Sequence, residues 1–281
     1  MNPKTNPLQK IRALRAPGRL GLFLSCLLLF WLPIAIPVYL TVGEQSGTYL
    51  MIWLYCLFVW FIGFWGKRIE EQSHPYRYYG LRFDRGALGE FFLGLGVGAG
   101  SYLLLLQIQV WLEWAEWQYL NEAPKYILPG LLLGLGVGFA EELLFRGWLL
   151  TELERDYSPN RSLWISTTIF TVCHFLSWDA IFYRWTQFWG LLLLGRNLVL
   201  ARRLTEGRLA LPIGFHGGLV WVHAVVDMGR LFLGLEVVPS VITGIRGNPL
   251  AGLLGLLFLL GLGKIADVIL YRQRKPPKLP S

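Results

Sequence analysis

Charge is scarce in this chain. Only 16% of its 281 residues are Asp, Glu, Lys or Arg, against roughly 25% in ordinary globular proteins. Acidic residues are the scarcer kind, 18 against 26 Lys and Arg. Cysteine is almost absent: Cys26, Cys56 and Cys173 are odd in number, show no CxxC spacing and lie inside apolar runs. That reads as small core residues and excludes a disulfide scaffold. The same shortages exclude a soluble domain and a disordered chain.

What is present is apolar. Hydrophobic residues make up 54% of the chain and its mean hydropathy is +0.46. Residues 20–43, 45–66 and 91–112 carry no charged residue for 24, 22 and 22 positions. A helix of roughly 20 apolar residues crosses a bilayer core, so each run can span. Basic residues precede the first run, as in a signal peptide, but the run is too long for a typical signal core and is expected to be retained. The pattern predicts an all-α, polytopic membrane bundle with eight helices at about 20–43, 45–66, 88–112, 126–151, 162–178, 185–201, 208–227 and 248–271. The sixth is the weakest, because its uncharged core is only Trp185–Gly195 and Arg196 must reach the interface. Trp31, Trp65, Trp111 and Trp178, within or at the ends of these runs, are expected in the interfacial aromatic belts.

The formal charge of +8 invites a nucleic-acid reading, which its distribution removes. Alternate flanking segments hold 20 and 4 of the Lys and Arg residues. Basic residues favour the cytoplasmic side, so both termini are expected there. The chain then divides into a basic cytoplasmic segment 1–19, a transmembrane domain 20–271 and a basic tail 272–281. The lipid bilayer is its partner; nucleic acid is not.

Glycine is plentiful and placed for helix packing. LGLGVGAG at 93–100 and LGLGVGFA at 133–140 contain several GxxxG pairs, which let membrane helices approach closely. The near-repeat suggests two close-packed helices. A dinucleotide-binding reading of the glycines fails, because no strand precedes them.

Ionisable residues inside spans are expensive and usually functional. Here they cluster. The fourth span holds Glu141, Glu142 and Arg146, the fifth His174, and the seventh His216, His223 and Asp227. At about 1.5 Å per residue, Glu141, His174 and His216 lie roughly 15, 18 and 12 Å below the cytoplasmic ends of their helices. One carboxylate and two imidazoles at similar depth can hold Zn²⁺ or activate a water. Glu142 and Arg146, at i,i+4 with the acid first, are spaced for an intrahelical pair. Glu141 points about 100° away and is left for another task, although all three could equally form one packing network.

The order EExxxR, FxxxH and a later histidine resembles the CAAX-prenyl endopeptidase and bacteriocin-processing (abortive-infection) family. The residues are Glu141 to Arg146, Phe170 to His174, and His216 in PIGFHGGLVW, and the resemblance covers roughly residues 125–225. It implies an all-helical intramembrane endopeptidase acting on a prenylated or membrane-associated protein or peptide. Glu141, His174 and His216 would be catalytic, with Glu142, Arg146 and Phe170 in support. It leaves open whether the three hold zinc or work as a glutamate-dependent protease. The family commonly has Asn four residues after the last histidine; here that position is Val220. His223 lies about 10 Å from His216 along an ideal helix, so it either joins the site through a break at Gly217-Gly218 or packs with Asp227. Two rival classes stand beside the protease. Val220 favours a non-catalytic scaffold of the same fold, and buried charges suit a transporter, although residues 20–112 hold no matching polar set. A serine protease is disfavoured, because the one histidine in the same half of the chain as Ser101, His74, falls in a polar loop and not in a span.

Overall fold

The computed structural model describes residues 7–175, 187–244 and 248–274. A short helix α1 (Pro7–Arg12) precedes α2 (Ala16–Val42), α3 (Gly47–Arg68), the short α4 (Pro75–Tyr78) and α5 (Arg85–Trp111). Next come α6 (Pro124–Glu141), a π-helical segment (Glu142–Leu149) and α7 (Leu150–Glu154), continuous with one another. The remaining helices are α8 (Pro159–Cys173), α9 (Phe188–Leu204), α10 (Ala210–Gly229), the short α11 (Ser240–Thr243) and α12 (Leu253–Arg274). The architecture is an all-α membrane bundle.

By length and apolar composition, five stretches of the described residues can cross a membrane. These are Ala16–Arg68, Arg85–Trp111, Pro124–Glu154, Ala210–Gly229 and Leu253–Gln273. The first, of 53 residues, bends through a short 3-10 turn at Gly43–Ser46 and so comprises α2 and α3. The helices expected at 162–178 and 185–201 are present as α8 and α9 but do not qualify. Their described lengths are 15 and 17 residues, short of the roughly 20 a span needs. Of the residues assigned above, 1–6 of the basic N-terminal segment, Trp178, Trp185 and all of the tail beyond Arg274 lie outside the described residues.

The glycine repeats meet a common partner. Both face α10, from opposite sides. An added Cβ at Gly94 or Gly98 would stand 2.3 or 2.1 Å from the Leu211 or Phe215 carbonyl, and on α10 Gly214 and Gly218 return the approach toward Phe91 and Leu95. On the other flank, Gly134 and Gly138 press on Gly217, at 2.5 and 2.9 Å from its backbone. With no side-chain layer between them, α5, α10 and α6 form one backbone-to-backbone sandwich, and the close packing is onto α10.

At one end of the bundle, β1 (Ala115–Trp117) pairs antiparallel with β2 (Phe232–Gly234), Glu116 opposite Leu233. This small ribbon ties the ends of α5 and α10. At the other end the basic termini meet. Arg19, 1% exposed, bonds the equally buried Glu152 through Nε (2.7 Å), while Trp65 Nε1 reaches Glu152 Oε1 at 3.3 Å. Arg155 joins Glu70 to Glu152, and Arg208 holds Glu90. Trp65 is therefore a core residue and not an interfacial one, whereas Trp111 is exposed. Cys56 and Cys173 are likewise exposed, outside the expected core. An aromatic core of Phe23, Phe61, Trp65 and Trp148 packs α2 and α3 onto the π segment.

Candidate active site

The site begins where α6 gives way to the π-helix. In that wider turn, Leu150 N–H donates to the carbonyl of Phe145, five residues back. Ser166 Oγ of α8 donates to the same carbonyl at 3.1 Å, so α8 is tied to the widened turn. Single-turn π-bulges mark functional sites often; this one runs for eight residues.

The segment buries a full ion pair. Glu142 and Arg146 are both fully buried, with Arg146 Nη1 donating to Glu142 Oε1 at 2.9 Å. The i,i+4 spacing predicted this pair. Arg146 also donates through Nη2 to the Gly195 carbonyl (3.2 Å) and lies 4.2 Å from the Phe170 ring centre. Gly195 leaves room for it: an added Cβ would stand 3.1 Å from the Phe170 ring and 3.4 Å from Arg146 Nη2. Nothing in the sequence alone distinguished Gly195 from its many fellow glycines.

Glu142 has a second donor. His216 Nδ1 lies 2.9 Å from the same Oε1, which fixes that imidazole with Nδ1 protonated and Nε2 turned away. His174 is fixed similarly, its Nδ1 donating to the Phe170 carbonyl at 2.8 Å. A carbonyl only accepts, so this proton is assigned from the partner. Phe170, fully buried, also packs its ring edge-on against His174 and His216 with centroids at 4.7 and 6.2 Å. Both free Nε2 atoms face Glu141. They lie 3.8 Å (His174) and 3.9 Å (His216) from its Oε2, which is buried and has no hydrogen-bond partner. The three residues that sequence depth set at one level therefore converge, from α6, α8 and α10.

Their chemistry is specific. A carboxylate oxygen and two neutral Nε2 atoms are all acceptors, and both separations exceed hydrogen-bonding distance. Three acceptors this close, with Glu141 Oε2 bonded to neither imidazole, can share a proton, a water or a cation. For zinc the donor atoms are right in kind. Their spacing is not that of a closed metal site, since tetrahedral bonds of about 2.1 Å put ligand atoms roughly 3.4 Å apart. Among the described residues no group of three or more His, Cys, Asp and Glu side chains has metal-holding geometry.

His223 stands elsewhere. Its Nδ1 meets Tyr102 Oη at 2.8 Å, in a cavity of about 620 Å³ lined also by Gln109, Asp227 and Arg230 and by none of the three converging residues. The helix does not break at Gly217-Gly218, so His223 stays a turn and more away. Its hydrogen-bond partner is Tyr102, 121 positions distant, and not the neighbouring Asp227. Val220 is half-buried and offers no polar atom.

No curated protein and no solved structure matches this chain. A family model does: the one described as Rce1-like, type II CAAX prenyl endopeptidase Rce1-like, over residues 123–222. That span contains the π segment, the buried pair and the three converging side chains, and it coincides closely with the stretch of the sequence resemblance. The match over residues 123–222 thus supports the resemblance to the CAAX-prenyl endopeptidase family and rests on the same residues that carry it.

Proposed function

We propose that the protein hydrolyses a peptide bond of a prenylated or otherwise membrane-associated protein or peptide, with Glu141 as the base that activates water. The observation that carries this reading is the convergence of the two Nε2 atoms on Glu141 Oε2. A water there gives a proton to Glu141 Oε2 as its oxygen bonds the substrate carbonyl carbon. When the tetrahedral adduct collapses, the C–N bond breaks and the proton passes from Glu141 to the leaving nitrogen. His216, its Nδ1 held by the Glu142 carboxylate, presents Nε2 to the same water. His174, locked by the Phe170 carbonyl, orients the water. Both termini lie on the cytoplasmic side in this reading, which the shared face of the basic helix ends supports; a reporter fused after Ser281 checks it.

Glu141→Gln tests the role. Cleavage of a prenylated peptide should vanish while melting and expression stay at wild-type levels; a variant that still turns over removes Glu141 as the base. A chelator that leaves the wild type active assigns the base role to Glu141 without metal. Loss of activity restored by Zn²⁺ would assign Glu141, His174 and His216 as ligands instead. A second reading, a non-catalytic scaffold, is favoured by Val220, and inactivity of the wild type on every prenylated peptide tried would support it.

A further inference from the structure

A cavity of about 810 Å³ opens beside the C-terminal end of α3, between that helix, α4 and the segment leading to α5. Lys67, Arg68, Arg77 and Arg82 line it, with Asp84 as the sole lining carboxylate. Asp84 is already engaged, its Oδ1 accepting from Ala87 N at the start of α5. The excess of basic residues at this end of the bundle follows from topology, but topology does not explain their pairing. Arg12, Arg19, Arg155, Arg203 and Arg208 each meet a carboxylate. Among the described residues, the four cations of the cavity form no ion pair, and Arg82 Nε is buried without a hydrogen-bond partner.

The wall below them is aromatic. Trp60 and Phe64, on the same helix and lining the same cavity, are 56% and 43% exposed. Trp60 precedes Lys67 by two helical turns, about 10 Å toward the membrane interior. Tyr76 lies against Gly63, where a Cβ would stand 2.5 Å from its hydroxyl, and Phe83 on the rim is 91% exposed. The rim segment Leu81–Asp84 also borders a second, apolar cavity of about 640 Å³. Unpaired cations at headgroup level, aromatic rings beneath and an apolar cavity alongside match an anionic amphiphile.

We propose that this cavity binds the phosphate-bearing headgroup of an anionic phospholipid, with an acyl chain in the adjoining apolar cavity. Arginine forks suit phosphate oxygens, and the aromatic wall selects a lipid over free phosphate.

The full-length protein in neutral detergent provides the test, with melting followed by tryptophan fluorescence while phosphatidylglycerol, phosphatidylcholine or sodium phosphate is titrated. Phosphatidylglycerol should raise the melting temperature, and the other two should not. Each basic side chain near a membrane surface contributes about five-fold in binding. Arg77→Gln should therefore shift the phosphatidylglycerol midpoint about five-fold, and Lys67→Gln/Arg77→Gln/Arg82→Gln about a hundred-fold. If the triple variant melts differently without lipid, the exposed Arg77→Gln alone decides. Equal stabilisation by phosphatidylcholine, or unchanged midpoints in the variants, overturns the proposal. Stabilisation by sodium phosphate matching that by phosphatidylglycerol overturns the lipid assignment in favour of a soluble phosphate.

Discussion

Replacing Arg146 by alanine should be among the most damaging single changes in the protein. The side chain is fully buried, and three attachments go with it: the bond to Glu142, the bond to the Gly195 carbonyl and the cation–π contact with Phe170. What remains is a buried Glu142 carboxylate held by His216 Nδ1 alone, its Oε2 without a partner. Breaking a buried ion pair from one side costs about 3–5 kcal/mol, mostly for the stranded charge. At roughly 2 °C per kcal/mol for a large domain, the melting temperature should fall by about 6–10 °C. The stranded charge is the cause only if removing it helps. Glu142→Gln combined with Arg146→Met should thus lose less than the two single variants added together, with a coupling of about 1–3 kcal/mol. Thermal melts of wild type, Glu142→Gln, Arg146→Met and the double variant measure the cycle, with Arg146→Ala melted beside them in the same detergent. A fall of under about 2 °C for Arg146→Ala, or strict additivity, would show that the pair does not hold the segment together.

Three further outcomes are expected. Val220→Asn supplies an amide donor to the site and should raise peptide turnover by up to about 10²-fold, the scale of one oxyanion donor, while His223→Ala should leave turnover unchanged. Gly138→Leu forces a side chain against the Ile213 carbonyl and Gly217 at 2.9 Å, whereas Gly136 has nothing within 4 Å of an added Cβ. The former should cost about 1–3 kcal/mol and abolish cleavage; the latter should be neutral, and like behaviour of the two contradicts the sandwich. Burial, reinforced by Glu152, holds the Glu70 carboxyl above its usual value of 4.5. A raised acid contributes stability that is complete below that usual value and is lost as pH rises through the raised one. Melting temperature should decline over that acidic window in the wild type and not in Glu70→Gln.

Local spacing and depth carried much of the site. The Glu142–Arg146 pair is an i,i+4 relation, and the convergence of Glu141, His174 and His216 follows from distance along three helices whose ends were marked by charge. What stayed hidden depends on contacts between distant segments. The π-helix was invisible because eight residues cannot distinguish one helical period from another. Gly195 matters only because Arg146 lies against it. Arg19 counted only as one of the basic residues of segment 1–19 and nothing singled out Glu152, yet they form a buried pair across 133 positions. The β ribbon is three residues per strand, too short for any alternation. The glycine repeats announced close packing but could not say against which helix, because glycine carries no side chain to name a partner.

The π segment has a consequence at both of its ends. A regular α-helix turns about 100° per residue, and a π-helix turns less, so everything after Leu149 is out of phase with what an unbroken helix would give. Before the segment, Glu141 looks toward two imidazoles; after it, Glu152 looks toward Arg19 and Trp65. Drawing 142–149 into a regular α-helix without losing a residue would advance everything after Leu149 by roughly 140°, at about 18° per residue, and swing one of these two sets off its target. Losing one residue at the same time would take back about 100° of that advance, so a one-residue deletion here should be better tolerated than in a regular helix, and the widened turn acts as a phase-setting spacer between the converging side chains and the anchoring of the first helix.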